Sequence, residues 1–302
     1  MSATTPWTIA VLGPGGVGGL VGGLLARDGH RVTCLASSGT AAALRDGGIS
    51  VRSGEYGEFE VRVDADTELR GPVDALLITV KATALEPALG RVPSEAFGAG
   101  LVLPLLNGVE HLELLRDRYP ADQVVAGAMR VESTRVAPGR IEHTTPFASV
   151  QLASRTVPRD RVDELAARLD GAGLQVAVRD DEPTMMWDKL AFLAALALLT
   201  TRYEAPAGDI RTDRRDLTLA VIDEIIAVAR AAGADVDAGP VLELFDSVPA
   251  GMKSSMQRDA EAGRPLELDA IGGAVLRTAA LHDVPVPLTA GLVADLESRQ
   301  YG

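Results

Sequence analysis

Cysteine occurs once, at Cys34, asparagine once, at Asn107, and lysine three times, at Lys81, Lys189 and Lys253. A single cysteine excludes an internal disulfide and fits a reducing compartment, so the chain is read as cytoplasmic. Its four histidines, His30, His111, His143 and His282, are scattered without metal-ligand spacing, and no metal site is expected. Cys34 and the histidines are read as packing or surface groups. The longest apolar run, Leu190 to Leu199, is too short to cross a bilayer, and no export signal is read in Met1–Thr5. Positive charge is also scarce. With 29 Lys and Arg against 42 Asp and Glu, the net charge of −13 argues against nucleic acid and membrane surfaces as partners, since phosphate-rich partners need clustered bases. An anionic ligand has to be held by local devices such as helix N-termini.

Only three of the 29 basic residues are lysine, which marks those three for inspection. Arginine is effectively never deprotonated, whereas a buried lysine can give up its proton. Two causes would give this bias: lysine kept where a guanidinium cannot substitute, or genomic base composition; the count alone does not choose between them.

What is present is apolar material, 47% of 302 residues, enough for two domains. Trp7–Leu12 reads as a buried strand, Gly16–Asp28 as an apolar-periodic helix closed by Gly29, and Arg31–Ala36 as the next strand. Further strands at Ala75–Val80 and Leu101–Leu106 precede the helical segments Leu85–Val92 and Val109–Arg118. This alternation predicts a parallel, doubly wound sheet. Short strands around Val124–Val131, Arg140–His143 and Ala148–Ala153 predict an antiparallel continuation, followed by a helix near Arg159–Gly171 and a strand at Leu174–Val178. The polar stretch Arg179–Pro183 reads as a linker. Helices follow at Thr184–Thr200, Arg214–Ala232, Val241–Phe245, Met252–Ala262, Glu267–His282 and Leu288–Arg299. The expectation is α/β plus all-α, with a doubly wound domain over residues 1–180 and a helical domain over residues 181–302. Its Ala- and Leu-rich helices suggest association as a homodimer.

Gly13-Pro14-Gly15-Gly16-Val17-Gly18 lies between the first strand and the first helix. In G-x-G-x-x-G the first glycine permits a tight turn, the second lets backbone approach a pyrophosphate, and the third packs helix against strand. In that context the motif predicts a dinucleotide site, with the helix N-terminus facing the phosphates. After the second strand, Ala36-Ser37-Ser38-Gly39-Thr40 carries neither the acid that binds a ribose diol nor a base for a 2′-phosphate. No acid repels NADP there, and NADP(H) is favoured over NAD(H).

Four more segments stand out: Val80-Lys81-Ala82, Leu106-Asn107-Gly108, Trp187-Asp188-Lys189-Leu190, and Met252-Lys253-Ser254-Ser255-Met256 with Gly263-Arg264-Pro265-Leu266-Glu267-Leu268-Asp269 downstream. At these residues, in this order and over nearly its whole length, the chain resembles the ketopantoate reductase family. The resemblance implies a Rossmann domain, a helical C-terminal domain and a cleft between them. It also implies NADPH-dependent reduction of 2-dehydropantoate to (R)-pantoate, on the route to pantothenate. By position it makes Lys189 the proton donor, and Lys81 and Asn107 residues near nicotinamide and substrate. Ser255 becomes a substrate-binding serine and Glu267 an acid contacting the cofactor. A lysine ammonium can stabilise and protonate the alkoxide that forms on a reduced carbonyl.

Two departures from the family pattern matter. Ser37 stands where relatives carry an arginine for the 2′-phosphate, and Leu193 and Ala197 stand where they offer two asparagines to the substrate. The second departure predicts a small-molecule oxo acid, or another carbonyl compound, with a less polar tail than 2-dehydropantoate. A reading from another class is a non-catalytic dinucleotide-binding sensor, against which Lys189, Asn107 and Glu267 together speak.

Overall fold

A computed structural model describes residues 5–301. The chain divides into two compact units. One runs up to Leu106 and resumes over His111–Glu182, and the other comprises Asn107–Glu110 and the chain from Pro183 onward.

The first unit begins with β1 (Thr8–Leu12), α1 (Gly16–Arg27), β2 (Arg31–Leu35) and α2 (Ser38–Gly47). It continues through β3 (Ile49–Ser53), β4 (Gly57–Val61), β5 (Asp64–Asp66), β6 (Ala75–Ile78), α3 (Leu85–Leu89), α4 (Ser94–Phe97), β7 (Leu101–Pro104) and α5 (His111–Arg118). The remaining elements are β8 (Ala126–Arg130), β9 (Ser133–Ala137), β10 (Arg140–His143), β11 (Ser149–Ala153), α6 (Arg159–Gly171) and β12 (Gln175–Val178). The central sheet is all parallel, in the order β5-β2-β1-β6-β7. Strands β1, β6 and β7 are almost continuously apolar because helices cover both faces. In α1, Leu20, Val21, Leu24 and Leu25 are fully enclosed against Ile9, Val11 and Val32. Burying four such side chains stabilises the unit by roughly 1.5–3 kcal/mol each relative to exposure.

The antiparallel continuation expected after Val124 is replaced by two separate sheets. One runs β4-β3-β10-β9 and the other β12-β11-β8. A parallel bridge between Val102 and Val124, with the Val125 N–H donating to the Val102 carbonyl at 2.9 Å, continues the main sheet toward β8. The strand pair β3/β4 and helix α2 are not expected from the sequence. Their outward positions carry Arg52, Glu58 and Glu60, so the apolar signal is confined to alternate residues of short segments.

Cys34 is enclosed in this core, and burial pushes its thiol up to about 12. Three of the histidines are buried. The His30 Nδ1 accepts the Trp7 N–H at 3.0 Å, and burial lowers its pKa. The His143 Nδ1 lies 2.8 Å from the Ser53 Oγ, under the stacked ring of Tyr56. No group of three or more potential metal ligands occurs among the described residues.

Among the described residues that follow lie the helices α7 (Glu182–Tyr203), α8 (Ala207–Asp213), α9 (Arg215–Ala231), α10 (Ala238–Ser247), α11 (Ser255–Glu261), α12 (Ala274–Leu281) and α13 (Pro287–Tyr301). A π-helical segment, Asp269–Gly273, interrupts the continuous helix expected over 267–282. The expected linker is also shorter than read. α7 starts at Glu182, whose buried carboxylate accepts Arg116 Nη1 and Nη2 at 2.8 and 2.6 Å. α7 is long and apolar enough to cross a membrane, but 78% of its apolar window is buried inside the protein. Ala191, Ala194, Ala195 and Ala197 on it are fully enclosed among Ile222, Ile225, Phe245 and Ile271. Small side chains let neighbouring helices approach α7 closely, which makes it the core helix of its unit.

Candidate functional site

The loop between β1 and α1 shows why each glycine stands where it does. Gly13 has φ +88, and its N–H donates to the Leu35 carbonyl at 3.1 Å, tying the loop to the end of β2. Thr79 Oγ1 donates to the Gly13 carbonyl at 2.8 Å from the end of β6. A methyl group on Gly16 would fall on the Ser133 carbonyl oxygen. One on Gly18 would fall on Thr79 Oγ1 and 2.6 Å from the Gly13 carbonyl. At Gly15 the nearest protein atom would be 3.9 Å away. Packing demands glycine at 13, 16 and 18, and leaves room at 15, beside the start of α1. That room is what backbone approach to a pyrophosphate requires. Pro14 is buried and Val17 half-buried.

Ser37 is the exposed N-cap of α2, with its Oγ 3.3 Å from Thr40 Oγ1. Lys81 is exposed just beyond β6, and its carbonyl accepts the Ala84 N–H at 2.9 Å. Both lie at carboxyl ends of parallel strands, where open α/β sheets take ligands.

In the second unit Asn107 and Glu267, far apart in sequence, come together. Asn107 Nδ2 donates to Glu267 Oε2 at 3.1 Å, and the Glu267 side chain is buried. Gly108 has φ +87, and a methyl there would fall on the Ala270 carbonyl, so the Asn-Gly turn lies directly on the π-helical backbone. Arg277 fixes this turn. Arg277 donates through Nε and Nη2 to the two Glu110 carboxylate oxygens at 2.7 and 2.6 Å, and through Nη1 to Asp269 Oδ1 at 2.6 Å. Glu110 and then Asp269 raise the Arg277 pKa further, keeping the guanidinium charged. π-helical turns frequently mark functional sites because they re-aim a side chain. The sequence reading reached Asp269 but missed its partners Glu110 and Arg277. The Asp269–Arg277 spacing of eight residues signals only two turns of ordinary helix.

Lys189 is buried, at 8% exposure, on α7 between Trp187 and Leu190. One turn on, Leu193 is half-buried, and a further turn on, Ala197 is fully enclosed in the core. Thr200 Oγ1 lies 2.7 Å from the Leu196 carbonyl and 2.8 Å from Ser254 Oγ. Ser254 is the N-cap of α11 and accepts the Gln257 N–H at 3.0 Å. Of the two serines, Ser254 is therefore the buried cap, and Ser255 is exposed at the first helical position.

Two family models cover most of the chain: ketopantoate reductase PanE/ApbA over residues 9–155, and its C-terminal model over residues 183–300. The 2-dehydropantoate 2-reductase of Mycobacterium tuberculosis is 32% identical over 307 residues, covering 97% of this chain and 98% of that protein. The crystal structure of 2-dehydropantoate 2-reductase from Geobacter metallireducens superposes with a TM-score of 0.87 at 29% identity, covering 97% of this chain and 99% of that one. A D-mandelate dehydrogenase solved with NADH and anilino(oxo)acetate has a TM-score of 0.87 at 20% identity, covering 97% and 98%, and shares the fold. With both models matched in order across two units of the corresponding architecture, the chain is an oxidoreductase of 2-dehydropantoate 2-reductase type and belongs to the ketopantoate reductase family.

Proposed function

We propose that the protein reduces a 2-oxo acid to a 2-hydroxy acid with NADP(H) in preference to NAD(H). The leading pair is 2-dehydropantoate and (R)-pantoate, in the cytoplasm and on the route to pantothenate. The observation that carries the reading is the phosphate loop, where three glycines are locked by packing and Gly15 alone is left open beside a helix N-terminus. That opening fits a pyrophosphate. When bound, the reduced nicotinamide supplies a hydride to the substrate carbonyl carbon. Lys189 holds its ammonium toward the carbonyl oxygen, stabilises the charge that develops there and delivers the proton from Nζ. Asn107, with one amide hydrogen committed to Glu267, keeps its Oδ1 and second hydrogen for ligand. Lys81 and Ser255 contact the substrate, and Glu267 contacts the cofactor.

A second reading, a less polar oxo acid, is favoured by Leu193 and Ala197, neither of which can hydrogen-bond through its side chain. The test is NADPH oxidation against a panel of 2-oxo acids that includes 2-dehydropantoate, run beside NADH. Efficient turnover of 2-dehydropantoate at micromolar KM supports the leading pair. Preference for apolar-tailed acids supports the second reading, and then Leu193→Asn raises kcat/KM for 2-dehydropantoate about tenfold, the effect of one added hydrogen bond. Binding of NADPH with no turnover of any carbonyl compound would instead point to the sensor.

A further inference from the structure

Ser37 leaves no cation at the position following β2, where the choice between the two nicotinamide cofactors is made. The fold brings one from 54 positions further along the chain. Arg91, two residues beyond α3, donates through Nη1 to the Ala36 carbonyl at 3.0 Å and to the Thr67 carbonyl at 2.9 Å. Ala36 is the first residue past β2, and the preceding carbonyl, that of Leu35, is the one that accepts the Gly13 N–H. The guanidinium thus stands one peptide from the anchor of the phosphate loop.

Its position is fixed from several sides. The Arg91 N–H donates to the Ala88 carbonyl at 2.9 Å, and the Leu69 N–H donates to the Arg91 carbonyl at 2.8 Å. With both Nη1 hydrogens committed, Nε and Nη2 keep three N–H groups without a partner among the described residues, and neither atom is enclosed. Ser37 and Ser38 are exposed alongside, at the start of α2. The neighbouring acid, Asp66, has its charge compensated. Its Oδ1 accepts the Thr67 N–H at 2.6 Å and its Oδ2 pairs with Arg70 at 3.2 Å.

We propose that Arg91 recognises the 2′-phosphate of NADP(H), supplying from the loop after α3 the guanidinium that Ser37 does not. The proposal rests on the reading that a dinucleotide binds at Gly13–Gly18. A fork already held by two carbonyls loses little rotamer freedom on meeting a phosphate, and its planar N–H pair matches two phosphate oxygens. Selectivity for a phosphomonoester then comes from a residue outside the β-α-β unit where it is ordinarily sought.

The test is fluorescence titration of the full chain with NADPH and with NADH, for the unaltered protein, Arg91→Met, and Arg91→Met combined with Ser37→Arg. The unaltered protein is expected to bind NADPH at least tenfold more tightly than NADH. Arg91→Met should weaken NADPH by about 10- to 100-fold and NADH by less than twofold, and Ser37→Arg should restore NADPH. Equal weakening of both cofactors would make Arg91 a clamp on the Ala36 and Thr67 carbonyls and overturn the proposal, as would unchanged NADPH affinity. Should Arg91→Met not fold, Arg91→Lys, which keeps a cation without the fork, reads the same ratio. If the unaltered protein bound neither dinucleotide, the underlying reading itself would fail, a result distinct from loss of selectivity alone.

Discussion

Lys189→Met lowers kcat for oxo-acid reduction by about a thousandfold and leaves dinucleotide affinity unchanged. General acids contribute 10²–10⁴ in rate, and fixed charge at a developing oxyanion contributes about 10²–10³. Here one ammonium does both, so the effects overlap and do not multiply. Methionine is the informative replacement because the site is 8% exposed on the core helix α7. A thioether of similar length keeps that volume and loses only the charge and the proton. The thermal midpoint should stay within a few degrees. If affinity fell and kcat held, Lys189 would be a binding residue.

The second large effect is a contrast within the phosphate loop. Gly15→Ala should leave the fold intact and weaken NADPH and NADH together by tenfold or more, because the added methyl occupies the opening proposed for the pyrophosphate. The backbone there, φ −80 and ψ −150, lies just past the ψ limit of the β region, so alanine brings a small backbone strain but no clash. Gly16→Ala should do the reverse. Its methyl meets the Ser133 carbonyl, whose own residue donates through Oγ to the Gly16 carbonyl at 2.9 Å, so strand β9 has to move. Overpacking of this kind costs about 1–3 kcal/mol and lowers the midpoint by several degrees. Calorimetry with cofactor titration separates the two. Equal destabilisation by both substitutions would mean that Gly15 is needed by packing and not by a ligand.

The loop and its flanking strand and helix were legible because local signals agree there: an apolar run, a glycine turn, an apolar period, and Gly29 at φ +98 closing the helix. The core helix α7 was legible for the same reason. The hairpin β3/β4 was not, since a strand with one face in water shows its apolar residues only in alternation, and Gly54 in the turn and Gly57 at the start of β4 break the signal. The serine pair at 254–255 could be marked but not divided, because which hydroxyl caps α11 depends on Thr200 from α7. Residues acting at long range were illegible in principle. Arg91 differs from the other arginines of the chain only in the carbonyls it meets, and Arg277 matters only because the turn at Asn107–Glu110 lies against its helix.

The central claim is that this chain moves a hydride from a nicotinamide to the carbonyl carbon of a 2-oxo acid. The direct measurement is mass and NMR analysis of the product after incubation with NADPH carrying deuterium at C4 of the ring. One deuterium on C2 of the 2-hydroxy acid, and none arriving there from deuterated solvent, is the result predicted. Firm NADPH binding with no label transferred to any 2-oxo acid, 2-dehydropantoate included, would contradict it.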